Sequence, residues 1–430
     1  MGENNYMLIN KKHIIFLAVM LVAMMSVAVA ADVNDSNTES TTPAITHTTD
    51  NNYVQTATPS NEITKKTDNK IENKTNNEEN TRGTIHNINN TNFDDYVTST
   101  GLTSLVNGND TLNFTSDVTR TLNNYTIDKP VNITGNGFTL DLNTVYGYNL
   151  PSLQQTKIEF NSGASNSNIT NFKFHNTQVF TTTASNIVFD NINVTVDQGV
   201  GMSTGYFAMR NGVINITVKN SYFHAINNTG CSAIVITLGE NCTIDNNTVI
   251  GEGTVGNLIY LNRWGAVGNA NGITQNKNNV ISNNTIIGPE TPINTCIGIV
   301  NGGPHNHIIN NTINYSGKGI NGNWAGTYDP TTNTTNDYYN DTYIGNAYIN
   351  NTLNNGAEFS GAQDSFIAGN TFTGTATIAK NSNVKYNIFE NTATINQYSN
   401  ITNNIFRSDV TLYNNVNFKN KCDKQFSFPL

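Results

Sequence analysis

The chain has 430 residues, of which only 12% are charged, and its formal net charge is −9. The charged share is about half of that in an average soluble protein, while asparagine and threonine are abundant. An acidic chain with few lysines and arginines lacks the basic surface that meets phosphate groups, so nucleic acid is excluded as a partner. The length allows a large core or several domains.

The N-terminus carries the pattern of an export signal. Lys11 and Lys12 precede an apolar run, IIFLAVMLVAMMSVAVAA, which ends in small residues. A positive flank, an apolar core and an A-x-A-like end predict a signal peptide over residues 1–31, and hence an extracellular or cell-surface protein. The alternative is an uncleaved anchor, because about 18 apolar residues can just span a bilayer. A membrane is expected as a partner only in that case.

A polar segment follows the signal. Residues 32–95 are rich in asparagine and threonine, contain few apolar side chains and show no hydrophobic period. Such a segment cannot bury enough surface to offset the entropy lost on ordering. We therefore predict a disordered linker over residues 32–95.

The remainder of the chain repeats one short phrase. Residues 278–288 read NNVISNNTIIG, and close copies begin at Asn241 and His305. Weaker copies lie near Asn171 and Asn191. The strong copies align on Asn220, Asn247, Asn284, Asn311, Asn346, Asn370, Asn387 and Asn404. Repeats at intervals of about 17 to 37 residues predict a solenoid.

The repeats favour strands over helices. Short alternating runs of Ile, Val, Phe and Thr are separated by Asn and Gly, which is typical of strands and turns. Asparagine tolerates the left-handed backbone conformation of a tight bend, and stacked amides can bond to the copies above and below. The eight aligned asparagines are therefore interpreted as a structural ladder in an all-β fold.

This pattern resembles the right-handed parallel β-helix repeats of the pectin-lyase-like superfamily. The phrase NYTIDKPVNITGNGFTLDL at residues 124–142 also resembles adhesin-like surface proteins of methanogenic archaea. The resemblance implies a right-handed parallel β-helix solenoid over residues 96–425, with about 12–13 coils of roughly 25 residues and a cap over its first coil. Residues 98–112 are the candidate for this N-terminal cap.

Two coils are longer than their neighbours, and each holds one of the two tryptophans, Trp264 and Trp324. Loops two coils apart emerge on one side of a solenoid, about 10 Å from each other. Aromatic faces stack on sugar rings, and polar neighbours bond to hydroxyls, so we predict a carbohydrate-binding cleft. Its other candidate residues are Arg263, Tyr328, Asp329, Tyr338 and Tyr339. The alternative is that both tryptophans pack their own loops.

Catalytic residues are not recognisable in the sequence. Hydrolases of the resembled fold carry a Gly-His-Gly signature, which is absent here, and glycosidases need paired carboxylates. The weak catalytic candidates are His305, Arg263 and Glu290, and the alternative is that His305 and His307 are merely solvated. We expect a non-catalytic protein without cofactor or metal.

Four cysteines, Cys231, Cys242, Cys296 and Cys422, lack the C-x-x-C spacing of a zinc site. An even number in an exported chain allows a disulfide, and buried free thiols are the alternative. Several N-x-[ST] sequons, including Asn113 and Asn132, are candidate glycan acceptors. We expect a minority of them to be modified.

These features together favour an exported adhesin-like surface protein whose loops contact carbohydrate or another cell-envelope component. Two alternatives remain open. One is a structural envelope protein that self-associates without a discrete ligand site. The other is a polysaccharide lyase or hydrolase of the β-helix class.

Overall fold

The computed structural model describes residues 83–427, with gaps at 122, 144–155, 197–204, 226–231, 253–256, 263–275, 290–296, 316, 323–326, 330–333, 337–344, 360–362 and 423–425. The predicted signal peptide and most of the predicted linker lie outside these residues. In chain order the elements are β1 (Ile85–Ile88), α1 (Phe93–Tyr96), β2 (Thr111–Phe114), β3 (Val118–Thr119), β4 (Tyr125–Ile127), β5 (Asn132–Thr134), β6 (Thr139–Asp141), β7 (Lys157–Phe160), a 3₁₀ helix (Ser162–Ala164), β8 (Asn168–Thr170), β9 (Lys173–His175), β10 (Gln178–Thr182), β11 (Val188–Asp190), β12 (Asn193–Val196), β13 (Phe207–Ile214), β14 (Thr217–Lys219), β15 (Tyr222–Ala225), β16 (Ile234–Glu240), β17 (Thr243–Asp245), β18 (Thr248–Gly251), β19 (Ile259–Asn262), β20 (Val280–Ser282), β21 (Thr285–Ile287), β22 (Ile297–Val300), β23 (His307–Ile309), β24 (Thr312–Asn314), β25 (Lys318–Asn321), β26 (Thr327–Asp329), β27 (Thr334–Asn336), β28 (Ala347–Ile349), β29 (Thr352–Leu353), β30 (Ala357–Glu358), β31 (Phe366–Ala368), β32 (Thr371–Phe372), β33 (Ala376–Ile378), β34 (Asn383–Lys385), β35 (Ile388–Phe389), β36 (Ala393–Ile395), β37 (Asn400–Phe406), β38 (Val410–Leu412), β39 (Asn417–Cys422) and β40 (Phe426–Ser427).

The strands form two long sheets of stacked coils. A middle coil contributes β11 and β12 to a 25-stranded sheet, here called the paired-strand sheet, and β13 to a 13-stranded sheet. Each strand is parallel to its equivalents in the coils before and after it, as β11 is to β8 and β14. The predicted all-β parallel β-helix solenoid is confirmed, and the 13 strands of the second sheet agree with the predicted number of coils.

The solenoid begins earlier than residue 96, the predicted boundary. Strand β1 pairs in parallel with β2, and the side chain of Ile88 is fully buried there. The candidate cap at residues 98–112 is not helical. Instead, the four-residue helix α1 precedes it, and Val97 forms an isolated antiparallel bridge with Leu102. The first coil was missed because one short strand surrounded by polar residues shows no hydrophobic period.

The core is a set of apolar rows that run along the solenoid axis. Because alternate residues of a strand face opposite sides, equivalent positions in successive coils stack on each other. The rings of Phe389 and Phe406 are stacked, with centroids 4.6 Å apart and planes 3° apart. Phe189 and Phe207 meet edge to face at 4.8 Å. Aromatic pairs of this kind stabilise the fold beyond the area that they bury.

Most coils bend at two corners where the backbone is left-handed. The first corner precedes the first strand of the pair, at Asn109, Asn166, Asn186, Asn215, Asn241, Asn278, His305, Gly345, Asp364, Asn381, Tyr398 and Asn415. The second corner separates the two strands, at Asn136, Asn171, Asn191, Asn220, Asn246, Asn283, Asn310, Asn350, Gly369, Tyr386 and Asn403. Asparagine and glycine prevail because they adopt positive φ at the least cost.

A buried asparagine follows most of the second corners. Asn284 Oδ1 accepts hydrogen bonds from both the backbone N–H and Nδ2 of Asn247, at 2.9 and 3.0 Å. The same bonds link the successive buried asparagines Asn247, Asn284, Asn311, Asn351, Asn370, Asn387 and Asn404, and continue to the half-buried Asn420. The left-handed residue and the ladder residue are therefore neighbours in sequence, not one residue as predicted.

Two residues of the predicted ladder lie elsewhere. Asn220 is an exposed second-corner residue with φ of 53°. Asn346 follows a first corner and accepts from the backbone N–H of Asn306, in a second buried row that also contains Asn279. The reason is that the phrase contains two adjacent asparagines. Which of the two is buried can be decided only from the flanking residues that face inward.

Cys242 is a free thiol and is fully buried, while Cys231 and Cys296 lie outside the described residues. Burial raises the pKa of the Cys242 thiol to about 12. Because Cys242 is a free thiol, it forms no disulfide. Among the described residues, no helix combines the length and the apolar character needed to cross a bilayer.

Candidate functional site

A groove of about 500 Å³ runs along the outer side of the second corners in the N-terminal half of the solenoid. We call it the asparagine groove. It is lined by Asn136, Asn171, Lys173, Asn191, Asn193, Asn220 and Tyr222, together with Gly137 and the buried residues Phe172 and Ile192. Its polar lining comes from four parallel coils, because second-corner residues stack in register.

The corner amides are held in fixed orientations. Asn191 Nδ2 donates to Asn171 Oδ1, and Asn220 Nδ2 donates to Asp190 Oδ1 at 2.7 Å. Asn220 Oδ1 in turn accepts from Asn246 at 2.8 Å. Within the described residues, Asn171 Nδ2 and Asn191 Oδ1 have no side-chain partner, so one donor and one acceptor of this pair are available to a ligand.

The strands after the corner add a second row of groove side chains. Lys173, Asn193 and Tyr222 occupy equivalent outward positions of β9, β12 and β15. Thr195 Oγ1 donates to Asn193 Oδ1 at 2.7 Å, which engages the acceptor of this amide. Lys173 is exposed, and its ammonium has no ion-pair partner among the residues that the structure describes.

Tyr222 supplies the aromatic side of the groove. Burial and the carboxylate of Glu252 both raise the pKa of the Tyr222 phenol above its ordinary value, so the phenol is protonated at neutral pH. It can therefore donate as well as accept a hydrogen bond. Its ring lies 5.9 Å from that of His224, in an edge-to-face arrangement.

Titratable side chains flank the groove on the next outward positions of the same strands. His175 Nδ1 and Asp141 Oδ2 are 2.8 Å apart, and His224 Nε2 is 3.4 Å from Glu252 Oε1. Thr195 lies between the two histidines in the register. This row places charge beside the groove, while the lining itself contains amides, one phenol and one ammonium.

Of the residues predicted for the carbohydrate cleft, only Tyr328 and Asp329 lie in the described part of the chain. Trp264, Trp324, Arg263, Tyr338 and Tyr339 lie outside the described residues. Tyr328 and Asp329 belong to β26, which pairs antiparallel with β27 in a small separate sheet.

Of the weak catalytic candidates, Arg263 and Glu290 also lie outside the described residues. His305 is an exposed first-corner residue with φ of 54°. Its ring lies against the backbone of Gly345 in the next coil, so close that a Cβ at Gly345 would overlap it. The structure thus gives His305 the role of a corner residue.

The asparagine groove was missed in the sequence. Asn171, Asn191 and Asn220 were recognised only as copies of the repeat and were interpreted as architecture. The available signal was the outward row of Lys173, Asn193 and Tyr222, where the usual threonine of the phrase is replaced in three consecutive coils.

No family model and no curated protein sequence matches the chain. Among solved structures, it is similar to the catalytic domain of a GH87 α-1,3-glucanase variant in complex with tetrasaccharides. The identity is 12% and the TM-score 0.30, over 73% of this chain and 63% of that chain. The chain thus spans less than two thirds of that domain, and similarity at this level supports no inference about activity.

Proposed function

We propose that the chain is an exported, adhesin-like surface protein that binds carbohydrate through the asparagine groove. The observation that carries the proposal is the lining, in which amides of four coils lie beside an aromatic side chain and one ammonium. Export rests on the sequence of residues 1–31. Adhesion is the role that we propose for a solenoid with a glycan-binding side.

The chemistry of the lining fits sugars. Each sugar hydroxyl is both a donor and an acceptor, and carboxamides offer both functions in one planar group. The Tyr222 ring can stack on the C–H face of a pyranose, and its protonated phenol can bond to an adjacent hydroxyl. Small-molecule sites commonly combine such an apolar face with a few well-placed polar groups.

The lining supports binding over hydrolysis. Hydrolysis with two carboxylates requires them about 5 to 9 Å apart across the scissile bond. The described residues that line the groove are amides, a phenol, an ammonium and apolar groups. The lyase or hydrolase alternative is tested in the same experiment by following product release.

The test compares Tyr222→Ala and Asn193→Ala with a matched control, Thr248→Ala, in the full chain. Thr248 occupies the same outward position as Tyr222 in the next coil but does not line the groove. Binding to a panel of soluble polysaccharides is measured by affinity electrophoresis, and reducing ends and unsaturated products are assayed in parallel.

We expect tenfold or greater weakening for Tyr222→Ala, a smaller loss for Asn193→Ala and no change for Thr248→Ala. Circular dichroism verifies that each variant is folded. Unchanged binding by folded Tyr222→Ala would reject the groove as the carbohydrate site. Product formation would replace the adhesin-like function with the enzymatic alternative.

A further inference from the structure

Two tyrosines occupy left-handed corners, whereas the left-handed corners of the other described coils are filled by asparagine, glycine, aspartate or histidine. Tyr386 lies at a second corner with φ of 58°, and Tyr398 lies at a first corner with φ of 59°. Positive φ in a bulky residue is strained, because the Cβ approaches the backbone carbonyl. A strained residue at a repeated position indicates a function when nothing in the fold compensates for it.

The fold does not compensate for these two residues. Their side chains are 64% and 60% exposed, so neither ring gains much from burial. Within the described part of the chain, neither phenol has a hydrogen-bond partner. Asparagine at the same corner would relieve the strain and would also allow amide contacts with the neighbouring corners, as between Asn191 and Asn171.

The tyrosines stand at opposite edges of one outward face. Tyr386 follows β34, and Tyr398 precedes β37, which is the neighbour of β34 in the next coil. Between these edges lie the outward side chains of Asn383 and Lys385 on β34 and of their register partners Asn400 and Thr402 on β37. We call this surface the tyrosine-edged face.

The floor of the face contains an unsatisfied acceptor. Asn383 Oδ1 is buried and has no hydrogen-bond partner among the described residues. A buried polar atom of this kind costs stability unless a ligand or a water molecule bonds to it. Phe366, the equivalent of Asn383 in the preceding coil, is 38% exposed and extends the aromatic surface.

We propose that the tyrosine-edged face is a second carbohydrate-binding site, distinct from the asparagine groove. Its aromatic rings are separated by amides, an ammonium and a hydroxyl, so it lacks the continuous apolar centre that a stable protein interface buries. Separated rings with amide groups between them fit a glycan chain, whose sugars present C–H faces to rings and hydroxyls to amides. The occupant that we infer is therefore a polysaccharide chain.

The asparagine groove and Tyr386, which bounds one edge of the tyrosine-edged face, lie along the same row of second corners. From Asn220 in the groove to Tyr386, the second corners advance by six coils, through β17, β20, β23, β28, β31 and β34. At one strand spacing per coil, the separation is about 29 Å. One extended polymer can reach both sites, and engaging both strengthens overall binding.

The test replaces both tyrosines with the residue that the corners otherwise use, in the variant Tyr386→Asn/Tyr398→Asn. The control is Tyr413→Ala, which removes an exposed tyrosine that follows β38 in the other sheet. Binding of the full chain to long polysaccharides and to their short oligosaccharides is measured by affinity electrophoresis and calorimetry, and the melting temperature is recorded.

We expect the double variant to bind long polysaccharides at least tenfold more weakly while its melting temperature rises. Tyr413→Ala should match the wild type in binding. A merely structural role for the tyrosines predicts a lower melting temperature and unchanged binding, and that result would overturn the proposal. A changed sedimentation coefficient without a change in glycan binding would identify the face as a contact between copies, and would also overturn it.

Comparison with Tyr222→Ala separates the two sites. If only Tyr222→Ala weakens binding, the groove stands and the tyrosine-edged face is rejected. If only the tyrosine double variant weakens binding, the face stands and the groove is rejected. Two independent sites predict that each variant weakens binding to the polymer and that the triple variant abolishes it.

Discussion

Asn311 Oδ1 accepts two hydrogen bonds from Asn284, from the backbone N–H at 3.0 Å and from Nδ2 at 2.9 Å. Asn311 Nδ2 donates to Asn351 Oδ1 and to the carbonyl of Ile281. One buried side chain thus satisfies groups in the coils on both sides. The ladder replaces backbone bonds that the bend would otherwise leave unmade.

Asn311→Ala should therefore destabilise the fold by about 2–4 kcal/mol, because it leaves buried donors and acceptors of two coils unsatisfied. The matched control is Asn310→Gly, one residue earlier. Asn310 is exposed, and glycine adopts its φ of 55° without strain. Urea unfolding measures both changes, and an equal loss in the two variants would contradict the division of roles between corner and ladder.

The first coil should be sensitive to acid through Asp110. Burial alone would raise the pKa of Asp110, but hydrogen bonds from the Asn107 N–H, the His86 ring and the Thr84 N–H outweigh it and hold the pKa below its usual value. A lowered folded-state pKa means that the carboxylate stabilises the fold above its unfolded pKa of about 4 and stops doing so as the pH falls through the folded value.

We therefore expect the free energy of unfolding to fall below about pH 4, and amide protection of residues 85–114 to be lost first. Asp110→Asn removes the titration and should flatten this part of the pH profile while lowering stability at pH 7. Hydrogen exchange and urea unfolding between pH 3 and pH 7 measure both effects. An unchanged acid limb in Asp110→Asn would show that other carboxylates control it.

The solenoid can be predicted from the sequence because apolar residues recur at equivalent positions of successive coils. In the phrase ISNNTI, Ile281 and Ile286 face inward and Thr285 faces outward, as strand alternation requires. Such phrases recur in coil after coil, so a solenoid of strands can be predicted from composition and spacing, whereas the parallel β-helix and its number of coils are implied by the resemblance.

The sequence does not show in the same way which of two adjacent asparagines is the left-handed corner residue and which is the buried ladder residue. A left-handed residue such as Asn283 interrupts the alternation of inward and outward positions, so the phase after it shifts by one residue. Asn283 is consequently exposed while Asn284 is buried. Only the three-dimensional bend distinguishes two identical side chains that are adjacent in sequence.

The asparagine groove is hidden for a related reason. Lys173 and Tyr222 are separated by 49 positions in sequence and by one intervening coil in the register, through Asn193. Coils of unequal length place no fixed interval between stacked residues. Without the register, a lysine, an asparagine and a tyrosine in three phrases are three unrelated surface residues.

Cys242 should be inert in the folded protein. Burial raises its pKa to about 12, from an unperturbed value near 9, so almost no thiolate exists at pH 8. Because the folded-state pKa is raised, its contribution to stability is complete below about pH 9 and is lost as the pH rises towards 12. We expect negligible alkylation of Cys242 by iodoacetamide at pH 8, and complete alkylation in urea.

Peptide mapping by mass spectrometry follows Cys242 separately from the other cysteines. The Cys242→Ser variant is a control for packing, because serine occupies the equivalent buried position at Ser382 and Ser399 in later coils. It should fold, with a modest loss of stability. Rapid labelling of Cys242 in the native chain would mean that this coil opens locally.

In the aromatic row at the C-terminal end, a core substitution should destabilise mainly the coils next to it. Phe389 is fully buried, and its ring centroid lies 5.0 Å from that of Phe372 and 4.6 Å from that of Phe406. Phe389→Ala leaves a cavity between two coils and should cost about 3–5 kcal/mol, whereas Phe389→Leu retains much of the volume and should cost less than half as much.

In a solenoid each coil contacts only its neighbours, so the damage should remain near the altered coil. Hydrogen exchange should show lost protection in the strands from β31 to β39 in Phe389→Ala, with the strands from β2 to β9 unchanged. The Leu variant should show the same pattern at smaller amplitude. A uniform loss of protection in both regions would mean instead that the coils unfold as one cooperative unit, since damage at one end would then lower the free energy of opening everywhere.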